Sequence, residues 1–302
     1  LDEPRAIKEF YPRDFVMRDP TTGHVTVPHC EVEDYRRGLE RFVCEGRLLA
    51  RLHHPGVVDV HDLFEVNGTA YLVMELIPGD TLEVELERAG GKLPPARARA
   101  ILEKLVDALA AVHACGVYHL DIKPGNVLLA PDDRVVLIDF GAARQRLDSS
   151  TGHRKRRTTQ ALTEAYAPPE LYGEVLDVGP ESDIYELGVV AYEMLTGTLP
   201  PSSLARFSKA DWVPTDLGEP WRSLVTAALD MKKDQRPSCV REWWNAMCAP
   251  PPPPPPPPPD GLAAQIQGLL AGDADAAPAP EPAPSAEDTL ADALRRALTG
   301  HA

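Results

Sequence analysis

Paired cysteines are missing from this chain. Its five cysteines (Cys30, Cys44, Cys115, Cys239 and Cys248) are odd in number and scattered, with no CxxC spacing. That argues against a disulfide framework or a cysteine-rich zinc site and suits free thiols in a reducing cytosol. The neighbours His53-His54 and His29-Cys30 read as ordinary surface residues, because adjacent side chains point in different directions. No apolar run reaches the ~18–20 residues of a membrane helix. The opening Leu1-Asp2-Glu3-Pro4-Arg5 is no secretory signal, so a cytoplasmic protein is expected. Net positive charge is absent too: the formal charge of −15 argues against a general nucleic-acid binder and against attraction to anionic membranes.

Proline, by contrast, is plentiful and uneven. Of thirty-two prolines, an unbroken run occupies Pro250 to Pro259, after which Ala, Pro, Asp and Glu dominate. Such a run adopts polyproline II and spaces its ends by roughly 30 Å. A folded domain is therefore expected over residues 1–248, a linker over 249–260 and an acidic Ala/Pro-rich tail over 261–302. Within the domain, strands are expected at Ala6–Phe10, Val57–Val66 and Thr69–Leu76, the last two joined by Asn67-Gly68. Helices are expected at Glu31–Leu52, Pro95–Cys115, Ser182–Thr196 and Pro220–Met231. Two short strands, Asn126–Ala130 and Arg134–Asp139, flank a turn at Pro131-Asp132-Asp133. Strands early and helices late imply an α+β protein with a small sheet-bearing lobe (1–76) and a larger helical one (80–248).

The chemistry concentrates in Tyr118-His119-Leu120-Asp121-Ile122-Lys123-Pro124-Gly125-Asn126. Asp121 can orient a hydroxyl as base, Lys123 can neutralise a transferring phosphate, and Asn126 can offer oxygen to magnesium. This segment resembles the catalytic loop of protein kinases. Asp139-Phe140-Gly141, thirteen residues beyond Asn126, resembles their magnesium-binding motif. The resemblance implies a two-lobed kinase fold of the bacterial eukaryotic-like serine/threonine branch, using ATP and Mg2+. It implies Lys8 on the α- and β-phosphates, Glu45 as its partner, and hinge backbone at Glu75 and Ile77 beside adenine, with Met74 as gatekeeper. Thr163-Glu164-Ala165-Tyr166-Ala167-Pro168-Pro169-Glu170 resembles the end of the substrate-facing loop, where Glu170 would pair with Arg236 and Asp183 would anchor the catalytic loop. Thr163 with Lys123 favours serine or threonine acceptors in protein substrates.

Three departures qualify the resemblance. Leu120 replaces the arginine that normally binds an activation-loop phosphate, so activity is expected not to depend on phosphate gating there. Pro168 replaces an alanine. No glycine-rich GxGxxG precedes Lys8, which has only seven residues before it, and the first residue is not methionine. Two readings follow: an N-terminally incomplete active kinase, or a pseudokinase or interaction module. The basic run His153–Arg157, next to Thr158 and Thr159, is either a solvated loop or a docking patch for acidic substrates. In the tail, Ser285–Leu298 and Gly261–Leu270 read as short helices that bind a partner or as a flexible extension, and the linker is a further candidate for partner binding.

Overall fold

The chain's first alternating segment forms strand β1 (Arg5–Glu9), close to the expected span. A computed structural model gives the fold and describes residues 3–13, 16–140, 144–145, 164–173, 177–207 and 212–247. After β1 comes a hairpin that periodicity did not reveal, β2 (Met17–Arg18) and β3 (Val25–Thr26). It turns on Asp19, whose Oδ1 accepts from the N–H groups of Thr21 and Thr22 at 2.8 and 2.9 Å, an Asx-type turn. Helix α1 (Val32–Leu49) follows, with Glu33 and Asp34 in its first turn and Arg47 in its last, as the helix dipole favours. It stops three residues short of Leu52 because its end tightens into i→i+3 bonds, Arg51 N–H to Leu48 O and Leu52 N–H to Leu49 O, ahead of Pro55. Strands β4 (Val60–Val66) and β5 (Thr69–Glu75) complete a sheet of order β1-β5-β4. Asn67 and Gly68 both take positive φ, as a tight two-residue hairpin turn demands. The expected Val57–Val66 strand is split, since Val57 bridges Leu137 in the second lobe instead. Among the described residues β1 is an edge strand, and Ile7 on it is 65% exposed.

The second lobe is built on helices. Strand β6 (Asp80–Thr81) leads into α2 (Leu82–Arg88), capped by the Thr81 hydroxyl, and then α3 (Pro95–Ala114). Ile101, Leu105, Leu109 and Val112 of α3 are fully buried, the face expected from their spacing. Strand β7 (Val117–Tyr118) precedes β8 (Val127–Leu129) and β9 (Val135–Leu137), which extend β6 into a small sheet, while β10 (Arg144–Gln145) pairs with β7. Gly79 sits where β5 hands over to β6; a Cβ there would lie 2.2 Å from the Leu129 carbonyl oxygen, and φ is +138°, so only glycine fits. Helix α4 (Pro180–Thr196) runs almost wholly buried through this lobe, followed by α5 (Ser203–Arg206), α6 (Trp221–Ala228) and α7 (Val240–Ala246). Helix α6 ends before the expected Met231 because the Leu229 and Asp230 carbonyls are claimed by the guanidiniums of Arg206 and Arg236, both at 2.7 Å. The compact unit is Leu1–Ala249. The polyproline run, the tail, Gly141, the basic run with Thr158 and Thr159, and Thr163 lie outside the described residues. No helix among the described residues is long and apolar enough to cross a membrane.

Candidate active site

The site is built outward from α4. Two carboxylates on that buried helix take the backbone N–H groups of the loop between β7 and β8. Asp183 accepts from His119 N–H at 2.9 Å and Leu120 N–H at 2.8 Å, and from the His113 ring at 2.7 Å. Glu186 accepts from Ile122 N–H at 2.7 Å. Burial pushes the Glu186 carboxyl well above its usual range, and the nearby Asp183 charge adds to this, against the pull of the Ile122 N–H. These bonds hold the loop while Leu120 takes the left-handed region at φ +61°, a conformation that costs a non-glycine residue. Asp183 stands where the kinase resemblance puts it. Glu186 was missed, although an acid three residues after Asp183, in a run of apolar residues, was a visible signal.

His119 is fully buried and spans the loop. Its Nε2 donates to the Ile138 carbonyl at 3.1 Å, and its Nδ1 accepts from Asp121 N–H at 3.3 Å, an assignment that both partners require. This is a neutral imidazole, and burial pulls its pKa below the ordinary value. The unfolded chain therefore takes up a proton near pH ~6.5 that the folded one refuses. Stability contributed by His119 is present above that pH and is lost as pH falls towards the depressed folded value. Glu186 and Glu45, pushed up by burial, act in the opposite sense, so the test is the difference between variants. From about pH 7 to 5 we expect acidification to shift the melting temperature of His119→Gln less unfavourably than that of the wild type, and equal slopes would contradict the assignment.

Asp121 projects from the held loop. Its Oδ2 receives Lys123 Nζ at 2.8 Å and Asn126 Nδ2 at 2.9 Å, and Asn126 Nδ2 also lies 2.8 Å from the Asp121 carbonyl. The amide nitrogen of Asn126 is thus committed to Asp121, and its Oδ1 has no partner among the described residues. Asp139, at φ +60°, places Oδ1 2.6 Å from Lys8 Nζ. Lys8 also lies 3.5 Å from Glu45 Oε1 and 5.8 Å above the centroid of Phe42. Burial alone would lower the Lys8 pKa, but Glu45 and Asp139 outweigh it and raise the value, so the ammonium stays charged. Burial pushes Glu45 up in turn, against the pull of Lys8. The structure thus joins Lys8, Glu45 and Asp139 in one cluster and Asp121, Lys123 and Asn126 in another. One half-exposed carboxylate and one amide oxygen suit magnesium, which takes hard oxygen ligands from few protein groups and the rest from phosphates.

Of the two residues expected beside adenine, Glu75 ends β5 and Ile77 lies just beyond it. The Glu75 N–H is spent on the Asp59 carbonyl at 2.9 Å, and its carboxylate pairs with Arg134 at 2.9 Å; Ile77 is buried. Further down, Arg236 grips Glu170 in bidentate fashion at 2.8 and 3.0 Å.

A family model, the protein kinase domain, matches residues 17–245. This chain belongs to the protein kinase family. Among its relatives, the serine/threonine-protein kinase PknA of Mycobacterium tuberculosis is 41% identical over 171 residues, 54% of this chain and 38% of that protein. Serine/threonine-protein kinase pkn2 of Myxococcus xanthus is 32% identical over 242 residues, 74% of this chain and 29% of that protein. Among solved structures, the PpkA-294 apo form shares the fold with a TM-score of 0.68 and 30% identity, over 80% of this chain and 86% of that one. The matches span about two fifths or less of the two named relatives' own length. The kinase fold accounts for the sheet-bearing first lobe and the helical second one. Lys8 lies ahead of the matched stretch, and what ties it to this site is its contacts to Glu45 and Asp139. Leu120, where kinases commonly carry arginine, is buried.

Proposed function

We propose that this kinase transfers the γ-phosphate of Mg-ATP to serine or threonine hydroxyls of protein substrates. The observation that carries the reading is the Asp121–Lys123–Asn126 cluster, with a carboxylate held at 2.8–2.9 Å by an ammonium and an amide. In this reading Asp121 accepts a hydrogen bond from the acceptor hydroxyl and takes its proton as the new O–P bond forms. The bond from the γ-phosphorus to the β,γ-bridging oxygen breaks, that oxygen leaving with the electron pair on ADP. Lys123, already beside Asp121, offsets the charge of the phosphate in transfer. Asn126 Oδ1 and the Asp139 carboxylate would hold magnesium, and Lys8, kept charged by Glu45 and Asp139, would face the α- and β-phosphates. Backbone groups of Glu75 and Ile77 take adenine. When bound, Mg2+ neutralises phosphate charge and orients the groups for in-line displacement.

The test is a thermal-shift titration with Mg-ATP, paired with a phosphate-transfer assay on a mixed serine/threonine peptide pool. The wild type is expected to gain several degrees at saturating nucleotide, and Asp139→Ala to lose that gain, because ligand binding stabilises only the state that binds it. A nucleotide-indifferent wild-type curve would favour a non-catalytic interaction module that keeps the kinase fold.

A further inference from the structure

We propose that Phe10, backed by the β2–β3 hairpin, is a positioning residue that sets the rotation of α1 and so delivers Glu45 to Lys8. The inference rests on the catalytic reading above and adds residues to it. Phe10 follows β1 directly, one residue after Glu9 and two after Lys8. Its N–H donates to the Ala70 carbonyl at 3.0 Å, and its carbonyl accepts from the Thr69 hydroxyl, so its backbone is tied to β5. Its ring then crosses to α1, with centroids 5.2 Å from Tyr35 and 5.8 Å from Phe42.

Between those two aromatics lies Gly38, and a Cβ there would sit 2.7 Å from Phe10 Cζ. The missing side chain is therefore the socket for the ring. Positions 35, 38, 42 and 45 share one face of a helix with 3.6 residues per turn. The face that receives Phe10 is thus the face that carries Glu45, two turns along. A turn of α1 about its axis large enough to remove Glu45 from Lys8 would drive the Gly38 backbone or a neighbouring side chain into the ring. Lys8 lies on β1 and Phe10 follows that strand directly, so Lys8 and the ring that seats α1 are referenced to one short piece of backbone.

The hairpin buttresses this contact. Val16, Val25 and Tyr35 form a small buried cluster of their own, with Phe10, Tyr11, Val27 and Leu39 packed against it. The Tyr35 hydroxyl donates to the Gly68 carbonyl at 2.8 Å, and Val25 N–H donates to Asn67 O at 2.8 Å, fastening α1 and the hairpin to the β4–β5 turn. Arg18 joins the parts: it pairs with Glu9, donates to the Gly23 carbonyl at 2.8 Å and lies 5.0 Å above the Tyr11 ring.

Two measurements decide the matter. Hydrogen exchange, which needs no turnover, is expected to show faster exchange over residues 32–49 in Phe10→Ala with residues 95–114 unchanged. Unchanged exchange in α1, or equal loosening of both helices, would overturn the proposal. In steady-state kinetics Phe10→Ala is expected to lower kcat about tenfold while leaving KM for the acceptor peptide in place. The double variant with Glu45→Gln should be no slower than Glu45→Gln alone, since both act through one ion pair; losses that multiply would show independent effects and sink the idea. If Phe10→Ala does not fold, Tyr35→Phe decides instead. It removes the hydroxyl that bonds Gly68 and lies beside the Thr69 side chain while keeping the ring, and about a threefold loss of kcat with faster α1 exchange is expected. An inactive wild type would count against the proposed function, while the exchange result would still judge the role of Phe10.

Discussion

Asp121→Asn is expected to lower phosphate transfer by about a thousandfold while leaving Mg-ATP binding intact, because general-base residues contribute ~10²–10⁴ and Asp121 is not a nucleotide ligand in this reading. The substitution keeps size and shape. It removes the charge that pairs with Lys123 at 2.8 Å and sets an amide where Asn126 Nδ2 now finds a carboxylate oxygen. The loop itself should survive, since its backbone is held from below by Asp183 and Glu186 and not by the Asp121 side chain. A transfer assay and a nucleotide thermal shift, run on the same protein, separate the two effects. Retained transfer with Asn at this position would remove Asp121 from the chemistry. Loss of both transfer and the thermal shift would assign it to nucleotide binding instead.

Arg236→Ala should cost about 3–5 kcal/mol of stability, the magnitude found when one partner of a buried ion pair is removed. The guanidinium is fully buried. It bonds both oxygens of Glu170, the Asp230 carbonyl at 2.7 Å and the Glu181 carbonyl at 3.1 Å, and its Cζ lies 4.8 Å from the Tyr185 ring centroid. Alanine would leave the Glu170 carboxylate with Ser182 as its remaining hydrogen-bond donor among the described residues, at 2.7 Å, and take a donor from the Asp230 and Glu181 carbonyls. Urea denaturation measures the loss as a lower midpoint at unchanged slope. Pairing Arg236→Met with Glu170→Leu should recover part of it, because removing both charges avoids stranding either. A single variant within about 1 kcal/mol of wild type would show that the pair is effectively solvated.

Much of the fold was legible before any coordinates. The Asn67-Gly68 hairpin, the buried stripe of α3 and the short strands around Asp132-Asp133 follow from rules acting over a few residues: turn φ angles, helical spacing and strand alternation. The expected segments missed chiefly at their ends. Leu52 fell outside α1 because the helix end tightens into local i→i+3 bonds. Val57, by contrast, was taken by Leu137, and the Leu229 and Asp230 carbonyls by Arg206 and Arg236, side chains outside α6. The β2–β3 hairpin escaped notice because two-residue strands carry too little alternation to register, although Asp19-Pro20-Thr21-Thr22-Gly23 was a turn in plain view.

The site divides along the same line. Asp121, Lys123 and Asn126 lie within six residues, so their spacing alone placed them on one loop and named their chemistry. Lys8, Glu45 and Asp139 were named by resemblance, but their meeting spans separations of 37 and 131 residues. Whether such charges touch depends on how the lobes pack, which no local rule contains. Glu186, the neutral tautomer of His119 and the seat of Phe10 against Gly38 belong to that second kind. The order of the catalytic motifs was determined by the sequence alone. The tertiary structure decided which buried carboxylates carry the loop and what turns Glu45 towards Lys8, because burial, and the hydrogen bonds it makes obligatory, exist only once the chain has closed on itself.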